Sequence, residues 1–185
     1  MNQKTAASVR VLIIGDTHGE LDPRIACLAA DSDYVVHTGD VGAAEVLSAL
    51  QPRLGLVAVR GNNDVAAKWP AGEAAQAEDL PPEALLSLPG GKLAVVHGHR
   101  LLPAKQRLER LRRAYPDARA VAFGHTHRLG ADCSMQPWVL NPGAAGRTRT
   151  YGGPSYLYLW AGRESWQVEC HRLPPLGRRG AACKD

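Results

Sequence analysis

Five separate apolar runs in this 185-residue chain each stop at a glycine-loosened cluster of Asp, His or Asn. The clusters are Gly15-Asp16-Thr17-His18-Gly19, Gly39-Asp40, Gly61-Asn62-Asn63-Asp64, His97-Gly98-His99 and Gly124-His125-Thr126-His127. A short run of β-branched and apolar residues closed by glycine reads as a buried strand. Side chains able to hold metals therefore recur at one kind of place, just past a strand. In a parallel sheet all strand C-termini lie on one edge, where ligands bind. The recurrence predicts a fold in which distant segments deliver polar groups to a single rim.

The intervening sequence supports such a sheet. Strands are expected at 9–14, 34–36 and 54–59, with helical spacing over 21–30 and 43–50, an alternation that argues for parallel βαβ units. From 65 to 89 the pattern weakens. Pro70, Pro81, Pro82 and Pro89 break an Ala- and Glu-rich stretch that reads as a rim or edge segment, anchored by Trp69 and carrying one short strand near Leu85, Leu86 and Leu88. Further strands are expected at 92–96, 120–123 and 138–140. A helix over 103–115 should turn Leu108 and Leu111 inward. Residues 156–160 and 166–170 alternate apolar and polar, as a hairpin of a second, antiparallel sheet would. A frayed tail is expected from about Pro174.

The clusters supply seven groups: the carboxylates of Asp16 and Asp40, the imidazoles of His18, His97, His125 and His127, and the amide of Asn62. Seven are too many for one tetrahedral zinc. They match two transition ions about 3.5–4 Å apart that share one bridging ligand. A carboxylate can bridge two cations, and a neutral amide keeps the site from becoming too negative. Taken singly, an Asp-x-His turn, a Gly-Asp pair or an Asn-Asn-Asp turn is ordinary loop chemistry. Their joint arrival at one sheet edge is not.

Composition excludes several alternatives. The chain carries 22 Lys and Arg against 18 Asp and Glu, a formal charge of +4. That balance is too small to argue for a nucleic-acid groove. The basic residues between Arg100 and Arg113 read as the solvated face of a helix. No run approaches the ~20 apolar residues needed to span a bilayer, and the N-terminus lacks a signal-peptide core. Four scattered cysteines with no CxxC pair read as reduced thiols. A single cytoplasmic domain, residues 1–185, is expected.

The ordered series GDTHG, GD, GNND, HGH and GHTH resembles the calcineurin-like metallophosphoesterase superfamily, across roughly residues 9–146. The short length and lack of a cap are most similar to the small phosphodiesterase branch that includes YfcE-like enzymes and the Vps29 scaffold. The resemblance implies an α/β fold, a two-sheet β-sandwich flanked by helices in a four-layer αββα arrangement. It also implies that Asp16, His18 and His127 hold one ion, that Asn62, His97 and His125 hold a second, and that Asp40 bridges them. The ions would be divalent, manganese first, with zinc, iron, nickel or cobalt as alternatives. Asn141-Pro142-Gly143 matches a structural turn of that branch, with Ala144 where serine often follows.

One departure bears on mechanism. Many superfamily members have His after the Asn of the third cluster, where it helps protonate the leaving group; here it is Asn63. Asp64 resembles the acidic partner of that missing His. His99 is the best replacement acid, and Arg60 could grip a non-bridging oxygen. The expected reaction is hydrolysis of a phosphate ester, above all a small phosphodiester, by a hydroxide bridging the two ions, with good leaving groups favoured. The competing readings are a Vps29-like protein-binding scaffold with a vestigial site, and a nuclease. A homodimer is expected only by analogy.

Overall fold

The computed structural model describes residues 8–101 and 103–175. Strands β1 (Val9–Ile14), β2 (Tyr34–His37) and β3 (Gly55–Ala58) alternate with helices α1 (Pro23–Ala29) and α2 (Ala44–Ser48). β1 pairs in parallel with β2, and β2 with β3, so their C-terminal ends share one edge. Asp22 caps α1, its carboxylate accepting from the backbone N–H of Arg24, and Pro23 opens the helix. Pro at the first helical turn gives up only an N–H that has no helical partner.

The weakly patterned segment after Val65 is more structured than its sequence suggests. It contains a 3₁₀ turn at Ala66–Lys68, helix α3 (Ala74–Asp79) and strand β4 (Glu83–Leu88). Strand β5 (Gly91–Val96) follows. Next come a 3₁₀ turn at Ala104–Gln106, helix α4 (Arg107–Ala114) and strand β6 (Ala120–Phe123). Strands β7 (Leu129–Asp132), β8 (Trp138–Pro142), β9 (Ser155–Ala161) and β10 (Trp166–Arg172) complete the order.

Two five-stranded sheets result, ordered β10-β9-β1-β2-β3 and β4-β5-β6-β8-β7. The C-terminal hairpin is antiparallel as expected, but it does not belong to a second sheet. β9 pairs antiparallel with β1 and completes the first. The reason lies in burial. Every residue of β9 except Trp160 is buried, because it lies mid-sheet with both faces covered rather than at a half-solvated edge. Both sheets are mixed, the first through the antiparallel β9 and the second because β4 and β7 run antiparallel to their neighbours. The short β7 (LGAD, with its two middle residues exposed) carries too little apolar pattern to be read from sequence.

The apolar residues sort into layers. Val11, Ile13, Val36, Leu93, Val95, Ala120, Ala122, Leu157 and Leu159 fill the space between the sheets. Leu12, Ile14 and Val35 face the other way, onto Ile25 and Ala29 of α1. Ala94, Val121 and Val139 pack with Leu111 of α4. β1 is thus apolar on both faces over its buried second half, as the continuous run Val11–Ile14 requires. The order is helix, sheet, sheet, helix. Leu108 departs from expectation: it is 40 % exposed, while Leu111 and Arg107 are buried. The helix starts only at Arg107, which turns 107 and 111 toward the sheet. Cys27, Cys133 and Cys170 are free and exposed. Cys183, Arg178, Arg179 and most of the tail lie outside the described residues. Among the described residues no helix is long and apolar enough to cross a membrane.

Candidate metal centre

The loops after β1 and β2 extend the strand pairing past the strands themselves. The backbone N–H of Asp16 donates to Gly39 O at 3.0 Å, and that of His18 to Asp40 O at 2.9 Å. A Cβ on Gly61 would lie 2.1 Å from Oδ1 of Asp40, so only glycine lets the third loop close against the second. Seven non-glycine residues among those described have φ in the left-handed region, and five of them are Asp16 (51°), His18 (50°), Asp40 (54°), His125 (68°) and His127 (57°). Such backbone is uncommon outside glycine and concentrates at functional sites. The strain tips successive side chains into one volume.

The seven expected groups meet there. Nε2 of His18 lies 3.2 Å from Nε2 of His127, and His127 Nε2 lies 3.5 Å from Asp16 Oδ1. Oδ2 of Asp40 lies 3.8 Å from His18 Nε2 and 3.4 Å from His97 Nε2. Oδ1 of Asn62 lies 3.1 Å from His97 Nε2 and 3.0 Å from His125 Nδ1. Metal–ligand bonds of about 2.1 Å put adjacent donors about 3 Å apart, so these separations approximate the edges of a coordination polyhedron. Ligand atoms of Asp16, His18 and His127 fall within 4.8 Å of one another, as do those of Asp16, Asp40 and His97.

The electrostatics also fit a cation. Asp16 is fully buried, and its Oδ2 has no hydrogen-bond partner among the described residues. Burial, reinforced by the Asp40 charge, pushes its carboxyl up to about 7. Burial lowers His18, His99, His125 and His127, with His127 brought down to about 4, and the positive charge of His97 or Arg149 adds to the effect. Neutral imidazole is the form that binds metal. Burial alone would raise Asp40, but His97 and two hydrogen bonds from Asn63 hold it far below the ordinary carboxylate range. Burial would likewise lower His97, yet Asp40 raises it. His97 Nδ1 already faces Thr38 O at 2.9 Å, and Nε2 faces two oxygens. Its Nε2 is therefore directed at a position that wants positive charge, which a divalent cation would satisfy. The residues present fit the metal.

The sequence matches the calcineurin-like phosphoesterase superfamily domain over residues 9–162. The chain belongs to that superfamily. A probable metallophosphoesterase, YsnB of Bacillus subtilis, is 30 % identical over 161 residues, covering 82 % of this chain and 83 % of its own. Among solved structures, Vacuolar Protein Sorting 29 of Cryptosporidium parvum superposes with a TM-score of 0.69 at 24 % identity, covering 90 % of this chain and 98 % of that one. A structure described as a novel archaeal phosphodiesterase gives 0.64 at 19 % identity, covering 88 % and 100 %. At these identities the two structures show the shared fold.

The superfamily member departs from simple expectation around the third cluster. Asp64 is buried, and its carboxylate accepts from the N–H groups of Gly42 (3.0 Å) and Gly61 (2.8 Å) and from the indole of Trp69 (3.1 Å). Trp69 is 6 % exposed and packs with Val41, Val46, Ala77 and Leu80, as an anchor. His99 stands beside the ligands, its ring 5.4 Å from that of His97 and 6.3 Å from that of His125. Arg60 lines a neighbouring cavity.

Three further residues near the site lie outside the five clusters. Arg149 places a guanidinium nitrogen 3.2 Å from His18 Nε2, from a residue with φ of 52°. Lys68 reaches the Asn63 carboxamide. His37 is buried and accepts the N–H of Gly39 on Nδ1 while facing the Thr17 hydroxyl at 2.9 Å through Nε2. Burial lowers it to about 4, so it braces two ligand loops as a neutral ring. Its place at the end of β2, just before Gly39-Asp40, was the available clue.

Proposed function

We propose that this superfamily member is a phosphodiesterase that works with two divalent transition ions, manganese the leading candidate. The observation that carries this reading is the convergence of seven strand-end groups at polyhedron-edge distances, with a buried carboxylate oxygen left unpartnered among them. Asp16, His18 and His127 would hold one ion and Asn62, His97 and His125 the other, with Asp40 between. Bound there, the ions would supply a water deprotonated near neutral pH and offset charge on the phosphoryl oxygens.

The chain's own residues shape the rest. Asn63 fixes Asp40 through its backbone N–H (2.8 Å) and its amide (2.7 Å), so the shared carboxylate is already oriented. Arg149 reaches the site from the His18 side and His99 stands on the His97 side, so the two flank the space a phosphoryl group would occupy. Contact with a ligand imidazole gives Arg149, rather than Arg60, the task of meeting a non-bridging oxygen. With Oδ2 accepting from Gly61 and Oδ1 from Gly42 and Trp69, Asp64 ties the Asn62 turn to the loop after β2 instead of moving protons. Asn63 has no proton to give at a useful pKa, so a departing alkoxide gets little help. Diesters and activated aryl phosphates should therefore react in preference to alkyl monoesters.

Hydrolysis of bis-p-nitrophenyl phosphate with added manganese tests the reading. Asp40→Asn should lower kcat by about a hundredfold or more, since even residues that merely support ligands cost 10–100-fold. Full activity in that variant with metal bound would rule the scheme out. No turnover with any of several metals would favour a scaffold like the sorting protein whose fold it shares.

A further inference from the structure

A cavity of about 720 Å³ opens beside the candidate metal centre and shares Asn62 and His99 with it. It lies between the 3₁₀ turn at Ala66–Lys68, the edge of β4 and the end of α4. Pockets of 300–1,000 Å³ take molecules of drug size, so the methyl or ethyl arm of a simple diester would leave this one nearly empty. Because Asn62 and His99 border both, one arm of a diester whose phosphorus sat among the histidines would extend toward the cavity.

The lining restricts what that arm can be. Two arginines, Arg60 and Arg100, line the same space as two glutamates, Glu78 and Glu83. An anionic tail such as a second phosphate meets as much repulsion as attraction. An acyl chain would cover the apolar wall but strip water from four charged groups and offer them no hydrogen bond. Beside these charges lie Val65, which is 42 % exposed, and Leu101. The Tyr115 hydroxyl donates to Glu83 at the same wall. A neutral arm with a flat ring and both donors and acceptors satisfies every part of this surface. A sugar alone would leave the apolar wall unused.

We propose that this cavity seats the non-leaving arm of the diester and is shaped for a nucleoside. The inference rests on the diesterase reading, because the arm is oriented by a phosphorus at the metal centre. p-Nitrophenyl diesters sharing one leaving group isolate the arm: methyl, octyl and thymidine 5′-(p-nitrophenyl) phosphates. The thymidine ester should show a KM at least tenfold below that of the methyl ester, and the octyl ester no such gain. Val65→Trp, at an exposed turn position facing the cavity, should bring that ratio to about 1. Binding of thymidine monophosphate, followed by calorimetry, should weaken about tenfold or more in the same variant. Should Val65→Trp fail to fold, inhibition of the wild-type protein by thymidine monophosphate at least tenfold better than by ribose 5-phosphate supports the same conclusion. Equal KM values for all arms, or a preference that survives Val65→Trp, overturn it while leaving the diesterase intact. Absence of turnover with every ester overturns the diesterase, and calorimetry then decides the cavity by itself.

Discussion

The two halves of the ligand cluster are built on different physics. Asp16, His127 and His18 form the deeper half: Asp16 is fully buried and His127 is 2 % exposed. Their one carboxylate is desolvated and keeps an oxygen without a partner. The other half is more open. Asn62 is exposed and His125 half-buried around a fully buried His97, and this half has no carboxylate of its own beyond the shared Asp40. A buried anion attracts a cation far more strongly than an exposed amide does, because water no longer competes. The deeper half should hold its ion tightly. The open half, which borders the cavity, should exchange its ion readily.

The sharpest way to break this contrast is Asp16→Asn. In the wild-type protein the folded carboxyl takes up a proton near pH 7 against an ordinary value of 3.8. The fold then binds more protons than the unfolded chain between those two values. Metal-free stability must fall as pH rises through that window. Asp16→Asn should flatten the fall and raise the metal-free Tm at pH 8. Manganese at 100 times its Kd should raise the wild-type Tm by about 5–10 °C, and the variant's by much less. Activity should fall by about a hundredfold or more. A variant that still gains the full metal-induced shift would sink the assignment of the deep half.

Asn62→Ala probes the open half. Calorimetric titration with manganese should show the weaker equivalent loosened about tenfold and the tighter one unchanged. Loss of both equivalents together would show that the halves are not independent.

The smallest expected effect is one of selectivity. Asn63→His restores a proton donor beside Asp40, and general acids contribute about 10²–10⁴-fold in favourable geometry. Because Asn63 also orients Asp40, the net gain should be only several-fold, seen as a higher rate on alkyl monoesters relative to bis-p-nitrophenyl phosphate. An unchanged ratio would mean that the third cluster does not face the leaving group.

Legibility varied along the chain in a way that burial explains. β1, β2, β5 and β6 were readable because strands inside a sheet with both faces covered need nearly continuous apolar runs, and the edge strand β3 was readable because its short GLVA run is apolar as well. β4 and β7 lie at sheet edges, where half the residues face solvent and the pattern thins. The seven groups that the structure brings together were legible, since each glycine-flanked polar pair interrupts an apolar run at its end. Asp64 was visible only as a carboxylate beside Asn63; the three donors it accepts from, Gly42, Gly61 and Trp69, come together only in the fold.

The local code of this chain, apolar run then glycine then ligand, determined the number of strands that reach the rim and the donor set they carry there. Short-range sterics and solvent exclusion are enough for that. Tertiary structure alone decided that the C-terminal hairpin completes the first sheet, that Arg149 arrives 3.2 Å from His18 across 131 positions of sequence, and that Arg60 joins Arg100 and two glutamates around a cavity. Contacts between such distant segments depend on how whole layers stack, and no residue's neighbours in sequence encode that.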